Sequence, residues 1–287
     1  MRFATFLSGL GASITTSLIA ASAWAQDGIA GLETVGRPHA EGIGFQPAAT
    51  ELARDQQWLD HMLLWLCAAV VALVTVLLLV VIFRFNSRAN PTPAKFSHNT
   101  PIEVTWTLVP ILILVVLGSF SLPTLFKQQE IPAGDVVIKA TGNQWFWSYE
   151  YPDQGIAFDS FLLGRDQLEA AGYAPDEYLL ATDNAVVVPV NKTIVVQVTG
   201  ADVIHSWTVP AFAVKQDGVP GRIAQLWFKA EREGVYFGQC SELCGKDHAY
   251  MPITVKVVSQ EVYDDWVART RTAGLGISAP VRVASAD

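Results

Sequence analysis

The stretch Gly238-Gln-Cys-Ser-Glu-Leu-Cys-Gly-Lys-Asp-His-Ala-Tyr-Met-Pro252 holds four metal-binding side chains within twelve residues: Cys240, Cys244, His248 and Met251. Two thiols, an imidazole and a thioether form a soft ligand set that suits copper. Steps of four, four and three residues would place all four on one face of a helix. The glycines and the closing proline favour instead a tight loop in which several ligands converge on one point.

Three other uses of this loop compete with copper. A disulfide between Cys240 and Cys244 would leave His248 and Met251 without a role. Structural zinc favours cysteine and histidine, and methionine is a poor zinc ligand. The glycine and lysine spacing does not match a phosphate-binding loop, and three residues rather than two separate the cysteines, unlike the haem-attachment motif.

A second imidazole is available at His205, 35 residues before Cys240. It lies in the apolar run Val203–Pro210, which is also typical of a core strand that holds a satisfied histidine. Single-copper electron-transfer sites use two histidines, one cysteine and a weak methionine, and this chain offers one thiol more. Two thiolates four residues apart can instead bridge two copper ions, each capped by one histidine.

With these residues in place, the chain from about residue 46 to 266 resembles subunit II of the haem–copper cytochrome c oxidases, most closely the alpha-proteobacterial versions. The resemblance implies a binuclear copper A (CuA) centre in which Cys240 and Cys244 bridge two copper ions. His205 and His248 would each bind one copper, and the sulfur of Met251 would be a weak axial ligand.

A further ligand follows from the same resemblance. Glu242 would give its backbone carbonyl to a copper, and its side-chain carboxylate to a magnesium ion shared with subunit I.

Two uncharged runs predict a membrane hairpin. Half of the 287 residues are hydrophobic, which is high for a purely soluble protein. Leu63–Phe83 and Val104–Phe126 are 21 and 23 residues long, enough to span a hydrocarbon core of ~30 Å. We expect transmembrane helices at residues 58–86 and 104–126, with Pro110 close to the first turn of the second helix, where proline is tolerated.

Basic residues in the connection and a leader-like N-terminal segment predict the orientation of this hairpin in the membrane. The connection expected at residues 87–103 carries Arg88 and Lys95 and follows Arg84, with Glu103 as its only acid; basic residues keep short loops in the cytoplasm. Residues 1–25 read as a signal peptide with a cleavage site at Ala23-Trp24-Ala25, although a short membrane helix is the alternative. We therefore expect a bacterial inner-membrane protein whose mature termini both lie in the periplasm, with residues 26–57 forming an irregular segment on a partner.

Glu103, at the cytoplasmic start of the second helix, has two interpretations. An acid at this point is favoured by the helix dipole. The resemblance implies instead that Glu103 lies at the mouth of a proton-uptake path.

From residue 127 to 259 the sequence consists of short runs rich in β-branched residues, separated by Gly, Pro, Asn and Asp. The pattern predicts an antiparallel β-sandwich or barrel. The resemblance implies a Greek-key cupredoxin barrel, so the fold expected is a membrane-anchored all-β protein. Residues 164–181 favour a short helical insertion, and residues 260–287 a helix through Trp266 followed by a flexible tail.

The stretch of sequence that ends at Tyr151 is rich in aromatic residues. Alternation puts Trp145, Trp147, Tyr149 and Tyr151 on one face of a strand, as expected for a barrel core and a rim. The resemblance implies that Trp145 passes electrons inward from a docked protein. Asn143 stands where many family members have histidine, which leaves the local hydrogen bonds open.

Residues 127–259 carry 16 acids and 10 bases, which disfavours nucleic acid as a partner. Acids are usually a solvated surface, but an acidic rim would attract a basic protein. The candidate docking residues are Glu150, Asp153, Asp159 and Asp202. The resemblance implies that cytochrome c docks at this rim.

Together with the resemblance, these features predict the electron-accepting subunit of a respiratory oxidase, an oxidoreductase embedded in the membrane with subunits I and III. It would take electrons from cytochrome c at the copper centre and pass them to haem in subunit I, where oxygen is reduced to water. A membrane-anchored copper chaperone would instead have one anchor and an α/β domain. A quinol oxidase subunit would lack the two cysteines.

Overall fold

Two long helices, a short C-terminal helix and a β-domain make up residues 29–39 and 42–272, which the computed structural model describes. The signal peptide expected at residues 1–25 and the tail after residue 272 lie outside the described residues.

The first long helix, α1, covers Glu51–Arg84, and the second, α2, covers Thr100–Gln129. Both are long and apolar enough to cross a membrane. Helix α1 begins seven residues before the expected start, because the Thr50 hydroxyl accepts a hydrogen bond from the Ala53 amide at 3.0 Å and caps it there. Its 34 residues extend ~51 Å, so its polar ends reach beyond the hydrocarbon core.

Helix α2 begins at Thr100 rather than at residue 104, and this changes the place of its prolines. Asn99 caps the helix by accepting from the Ile102 amide at 3.3 Å. Pro110 therefore lies inside the helix, not near its first turn as expected, and Pro123 is also internal. Membrane helices tolerate such prolines because neighbouring groups satisfy the freed backbone carbonyls.

Ion pairs fasten the helices to each other and to the β-domain. The Lys127 ammonium of α2 lies 2.6 Å from Glu51 and 2.8 Å from Asp55 of α1. The Arg54 guanidinium lies 2.7 Å from Glu231 of the β-domain. Exposed pairs are individually weak, so their main effect is to fix the geometry where helix and barrel meet.

Eleven strands are present in the described residues. They are β1 Thr34–Gly36, β2 Val136–Asn143, β3 Phe146–Tyr151, β4 Ile156–Ser160, β5 Val186–Pro189, β6 Ile194–Gly200, β7 His205–Val209, β8 Val214–Gly218, β9 Ala224–Phe228, β10 Gly234–Cys240 and β11 Pro252–Val258. One sheet has the order β5-β11-β10-β7-β8, with β1 added beside β10, and the other has the order β4-β3-β2-β6-β9.

The two sheets enclose one core, which confirms the cupredoxin-like β-domain behind two membrane helices. Trp147 and Tyr149 of β3 share this core with Tyr236 of β10 and Val255 of β11, each at most 1% exposed. Full burial of a large side chain stabilises the fold by ~1.5–3 kcal/mol. The pairing is mixed rather than wholly antiparallel as expected, because β2 and β6, β5 and β11, and β1 and β10 run parallel.

Three segments differ from their expected form. Thr34–Gly36 lies in the supposedly irregular N-terminal segment, yet it covers the edge of β10 that β7 leaves open. The insertion of residues 164–181 forms turns and one short 3-10 helix, Pro175–Glu177, rather than an α-helix. The C-terminal helix α3, Gln260–Thr272, is longer than expected and buries Trp266 in the core.

Candidate metal centre

Strand ends and one loop bring the predicted ligands together. Cys240 is the last residue of β10, and His205 is the first residue of the neighbouring β7. The loop from β10 to β11 carries Cys244, His248 and Met251. The structure therefore assembles all of the cysteine, histidine and methionine side chains that the sequence singled out.

The donor atoms form a row of two sulfur–imidazole pairs. The two Sγ atoms of Cys240 and Cys244 lie 3.9 Å apart, about twice the length of a disulfide bond. His205 Nδ1 lies 3.9 Å from the sulfur of Cys240, and His248 Nδ1 lies 3.5 Å from that of Cys244. Each imidazole thus faces a different thiol.

Two weaker donors complete the row. Met251 Sδ lies 3.5 Å from Cys244 Sγ. The backbone carbonyl of Glu242 lies 3.4 Å from Cys240 Sγ, while the Glu242 side chain is exposed. A soft, nearly dry set of two thiols, a thioether and two imidazoles fits copper, and His205, Cys240 and Cys244 alone cluster within 4.8 Å in the described structure.

Asp202 fixes the orientation of His205. Its carboxylate accepts a hydrogen bond from the fully buried ring at Nε2, over 2.8 Å. Burial alone would raise the pKa of Asp202, but the bond to His205 and two backbone amides lower it. Because an ionised carboxylate can only accept, Nε2 carries the proton and Nδ1 is left to bind metal.

The two thiols differ in acidity. Burial would raise the pKa of Cys240, but hydrogen bonding to His205 and to backbone amides outweighs it and lowers the pKa to about 7. Burial and the charge of Cys240 raise the pKa of Cys244 to about 12. The pKa of His205 is raised, because its contacts with Cys240 and Asp202 outweigh burial. One thiolate is thus formed easily, and the second needs a metal cation to displace its proton.

Gly142 of β2 makes room for the buried imidazole. A Cβ atom added to Gly142 would lie 2.6 Å from Cγ of His205. The sequence interpretation did not single out Gly142, although a glycine inside a strand often marks a close approach of this kind. Gly245 has φ +128° and makes a similar contact, since an added Cβ would lie 2.9 Å from Cζ2 of Trp145.

Trp145 contacts the metal-binding loop directly. Its Nε1 donates to the backbone carbonyl of Cys244 at 3.3 Å, and the Gln144 side-chain amide donates to the same oxygen at 2.9 Å. Trp145 lies just before β3 and is half-buried, unlike the fully buried Trp147 within that strand. The four aromatic residues expected on one strand face therefore divide into three core residues and one at the rim.

Asn143, whose hydrogen bonds the sequence left open, makes two local ones. Its side-chain amide donates to the Thr141 carbonyl at 3.2 Å and to the Ser148 hydroxyl at 3.0 Å. These contacts hold the turn that carries Trp145.

The four candidate docking acids do not form a ring around Trp145. Asp202 is turned inward to His205, and Glu150 pairs with Lys139 at 2.8 Å. Asp159 accepts a hydrogen bond from a serine hydroxyl of β3 at 2.6 Å. Asp153 lies in the turn after β3, at the opposite end of that strand from Trp145.

Glu103 is remote from the metal-binding residues. It lies 26 residues before Gln129 along α2, which corresponds to ~39 Å of helix. Its carboxylate accepts a hydrogen bond from the Asn99 amide at 3.1 Å. The structure therefore gives Glu103 a contact at the helix start and does not bring it near the cluster.

Comparison with known proteins identifies the family. Residues 38–124 match "Cytochrome C oxidase subunit II, transmembrane domain", and residues 136–258 match the periplasmic domain of the same subunit. Cytochrome c oxidase subunit 2 of Cereibacter sphaeroides is 56% identical over 285 residues, covering 94% of this chain and 93% of the relative. The probable subunit 2 of Rickettsia bellii is 45% identical over 228 residues, covering 79% and 83%.

A solved structure is also similar. The crystal structure of the periplasmic domain of subunit II of cytochrome oxidase from Bradyrhizobium japonicum has 51% sequence identity and a TM-score of 0.46, and covers 50% of this chain and 98% of that one. From the family matches and the curated relatives, this chain belongs to the cytochrome c oxidase subunit II family.

Proposed function

We propose that this chain is the electron-accepting subunit of its oxidase and holds a dicopper centre between Cys240 and Cys244. The observation that carries the proposal is the paired row of donors, in which each sulfur faces its own imidazole. The family, the two apolar helices and the β-domain speak against a copper chaperone, and the two cysteines speak against a quinol oxidase subunit.

The chain's residues hold the metal pair and keep its surroundings fixed. The sulfurs of Cys240 and Cys244 and the Nδ1 atoms of His205 and His248 would hold the two coppers. The sulfur of Met251 and the Glu242 carbonyl would be weaker ligands. Bound copper would accept and release one electron with little change of geometry, because these donors come from strand ends and a packed loop.

Trp145 is the site at which the donor protein makes contact. Its indole is partly exposed on one side and hydrogen-bonded to the Cys244 carbonyl on the other. The donor is a cytochrome c, and the electron continues to haem in subunit I, where oxygen is reduced. The chain sits in the bacterial inner membrane beside subunits I and III, with residues 87–103 in the cytoplasm and the β-domain in the periplasm. Glu103 then faces the cytoplasmic side, where it borders a proton-uptake path.

The exposed carboxylate of Glu242 binds magnesium together with subunit I. Its backbone carbonyl faces Cys240, while the residue is exposed, so the carboxylate is accessible to a partner. In the assembled oxidase, Glu242→Gln should lower the magnesium content and leave copper unchanged; wild-type magnesium in this variant would reject the role.

Copper analysis and electron paramagnetic resonance test the central proposal. The purified chain should bind two coppers and give the seven-line signal of one electron shared by two copper nuclei. Cys244→Ser should abolish the seven-line signal, whereas Cys67→Ser, in α1 and outside the cluster, should retain it. A four-line spectrum, or one copper per chain, would reject the dicopper centre.

Electron transfer needs a separate test. In the assembled oxidase, Trp145→Phe should slow reduction of the copper by cytochrome c at least ~10-fold while the copper spectrum stays that of wild type. Trp227→Phe is the matched control, because Trp227 donates to the Lys127 carbonyl near the membrane helices. Equal rates in wild type and Trp145→Phe would remove Trp145 from the path.

A further inference from the structure

A lysine lies over the aromatic ring proposed to meet the electron donor. The Lys246 ammonium is 5.2 Å from the centroid of the Trp145 ring, a cation–π distance. The Gly245 backbone lies against an edge of the same ring. Lys246, which is itself part of the metal-binding loop, therefore places its ammonium over the half-buried indole.

The charge of Lys246 faces solvent. Its side chain is 77% exposed, whereas that of Asp247, which pairs with it at 2.8 Å, is 38% exposed. Exposed pairs of this kind contribute little and exchange partners readily. A docking protein that reaches Trp145 thus meets a cation first.

Apart from Asp247, the candidate docking acids do not pair with this cation. Asp202, the candidate docking acid closest to Trp145 in the fold, uses its carboxylate on His205 and on the Gln144 amide. Glu150 is paired with Lys139. Neither of these acids therefore pairs with Lys246, whose more exposed ammonium lies over the indole with only Asp247 as its ion-pair partner among the described residues.

We propose, building on the electron-accepting role above, that Lys246 is a specificity-determining residue that selects the electron donor. It favours a cytochrome c that brings a carboxylate or a neutral group to Trp145 and keeps its basic residues at the periphery of the contact. It repels a donor that brings a lysine there, because like charges at a contact slow association and weaken binding.

Binding of a basic soluble cytochrome c to the purified full chain tests this selection without relying on turnover. By surface plasmon resonance at ~20 mM salt, Lys246→Gln should raise the association rate constant about threefold, and Lys246→Glu about tenfold. At ~300 mM salt the differences should shrink to less than about 1.5-fold, because screening removes them.

Lys229→Gln is the matched control. Lys229 is exposed and follows β9, next to the first residue of β6. The last residue of β6, which lies near His205, is ~20 Å away along that strand. The same loss of charge there should change the association rate constant by less than about 1.5-fold. If Lys246→Gln and Lys229→Gln have equal effects, or if Lys246→Gln weakens binding, Lys246 does not repel the donor and the proposal is overturned.

Failure of the electron-accepting role would be separately visible. If Lys246→Gln binds like wild type while Trp145→Phe still slows copper reduction, only the selection by Lys246 falls. If the Lys246 variants bind as expected while Trp145→Phe reduces at the wild-type rate, the selection stands and the path through Trp145 falls. Two coppers and an unchanged spectrum in Lys246→Gln would show that the loop is intact.

Discussion

Replacing Gly142 by alanine should damage the metal centre without touching any ligand. The added methyl carbon would lie 2.6 Å from Cγ and 2.7 Å from Cβ and Cδ2 of His205. Neither partner can move easily. Gly142 is paired with Trp147 on one side and Gly200 on the other, and the imidazole is fully buried.

The magnitude follows from this overlap. Overpacking a tight core site by one methyl group costs ~1–3 kcal/mol. For a β-domain of this size, that free energy corresponds to a fall in Tm of roughly 3–10 °C. The smallest relief is rotation or displacement of His205, which carries Nδ1 away from Cys240. We therefore expect the variant to fold and to bind fewer than two coppers.

Thermal unfolding by near-ultraviolet circular dichroism and copper analysis would measure the two effects on the full chain in detergent. Gly44→Ala provides the control, because no atom lies within 4 Å of the Cβ it would add. It should keep both coppers and the wild-type Tm. If Gly142→Ala also keeps two coppers, the wild-type spectrum and the wild-type Tm, the close approach to His205 is refuted.

Two further outcomes are expected. Tyr149→Phe removes the buried acceptor 3.1 Å from the Trp207 Nε1 and should lower the free energy of unfolding by ~1–3 kcal/mol, whereas Tyr250→Phe, at an exposed site, should not; equal chemical-denaturation midpoints would contradict this. Copper loading should release at least ~0.8 more protons at pH 6 than at pH 8. The Cys240 thiol, with its pKa of about 7, is mostly protonated at pH 6 and mostly ionised at pH 8, whereas Cys244 gives up one proton at both pH values. Calorimetry in buffers of different ionisation enthalpy counts these protons, and equal counts at the two pH values would disprove the assigned acidities.

Local patterns were sufficient for the main elements of the fold. The uncharged runs predicted both membrane helices, and the short β-branched segments predicted strands that the structure contains at Val136–Asn143, Ile194–Gly200 and Pro252–Val258. Helix ends were less predictable. Capping by Thr50 and Asn99 adds polar turns that an apolar run does not mark. The place of Pro110 was misjudged for the same reason.

The ligand loop was also readable locally, because Cys240, Cys244, His248 and Met251 lie within twelve residues. The roles of the surrounding charged residues could not be predicted from the sequence. Asp202 was interpreted as a docking acid, yet it accepts a hydrogen bond from His205 and orients it. Asp153 lies at the far end of β3. A count of acids records their number and not the direction in which each side chain points.

By itself, then, the sequence determined which chemical groups this chain brings to a metal, that two helices can cross a membrane, and that a strand-rich domain follows them. These properties depend on residue type and short-range period. Only the tertiary structure decided that Gly142 lies against His205, that β2 runs parallel to β6, and that Lys246 covers Trp145. Such contacts depend on how strands distant in the chain pair and on how the loops between them close, and both are set by packing of the whole domain.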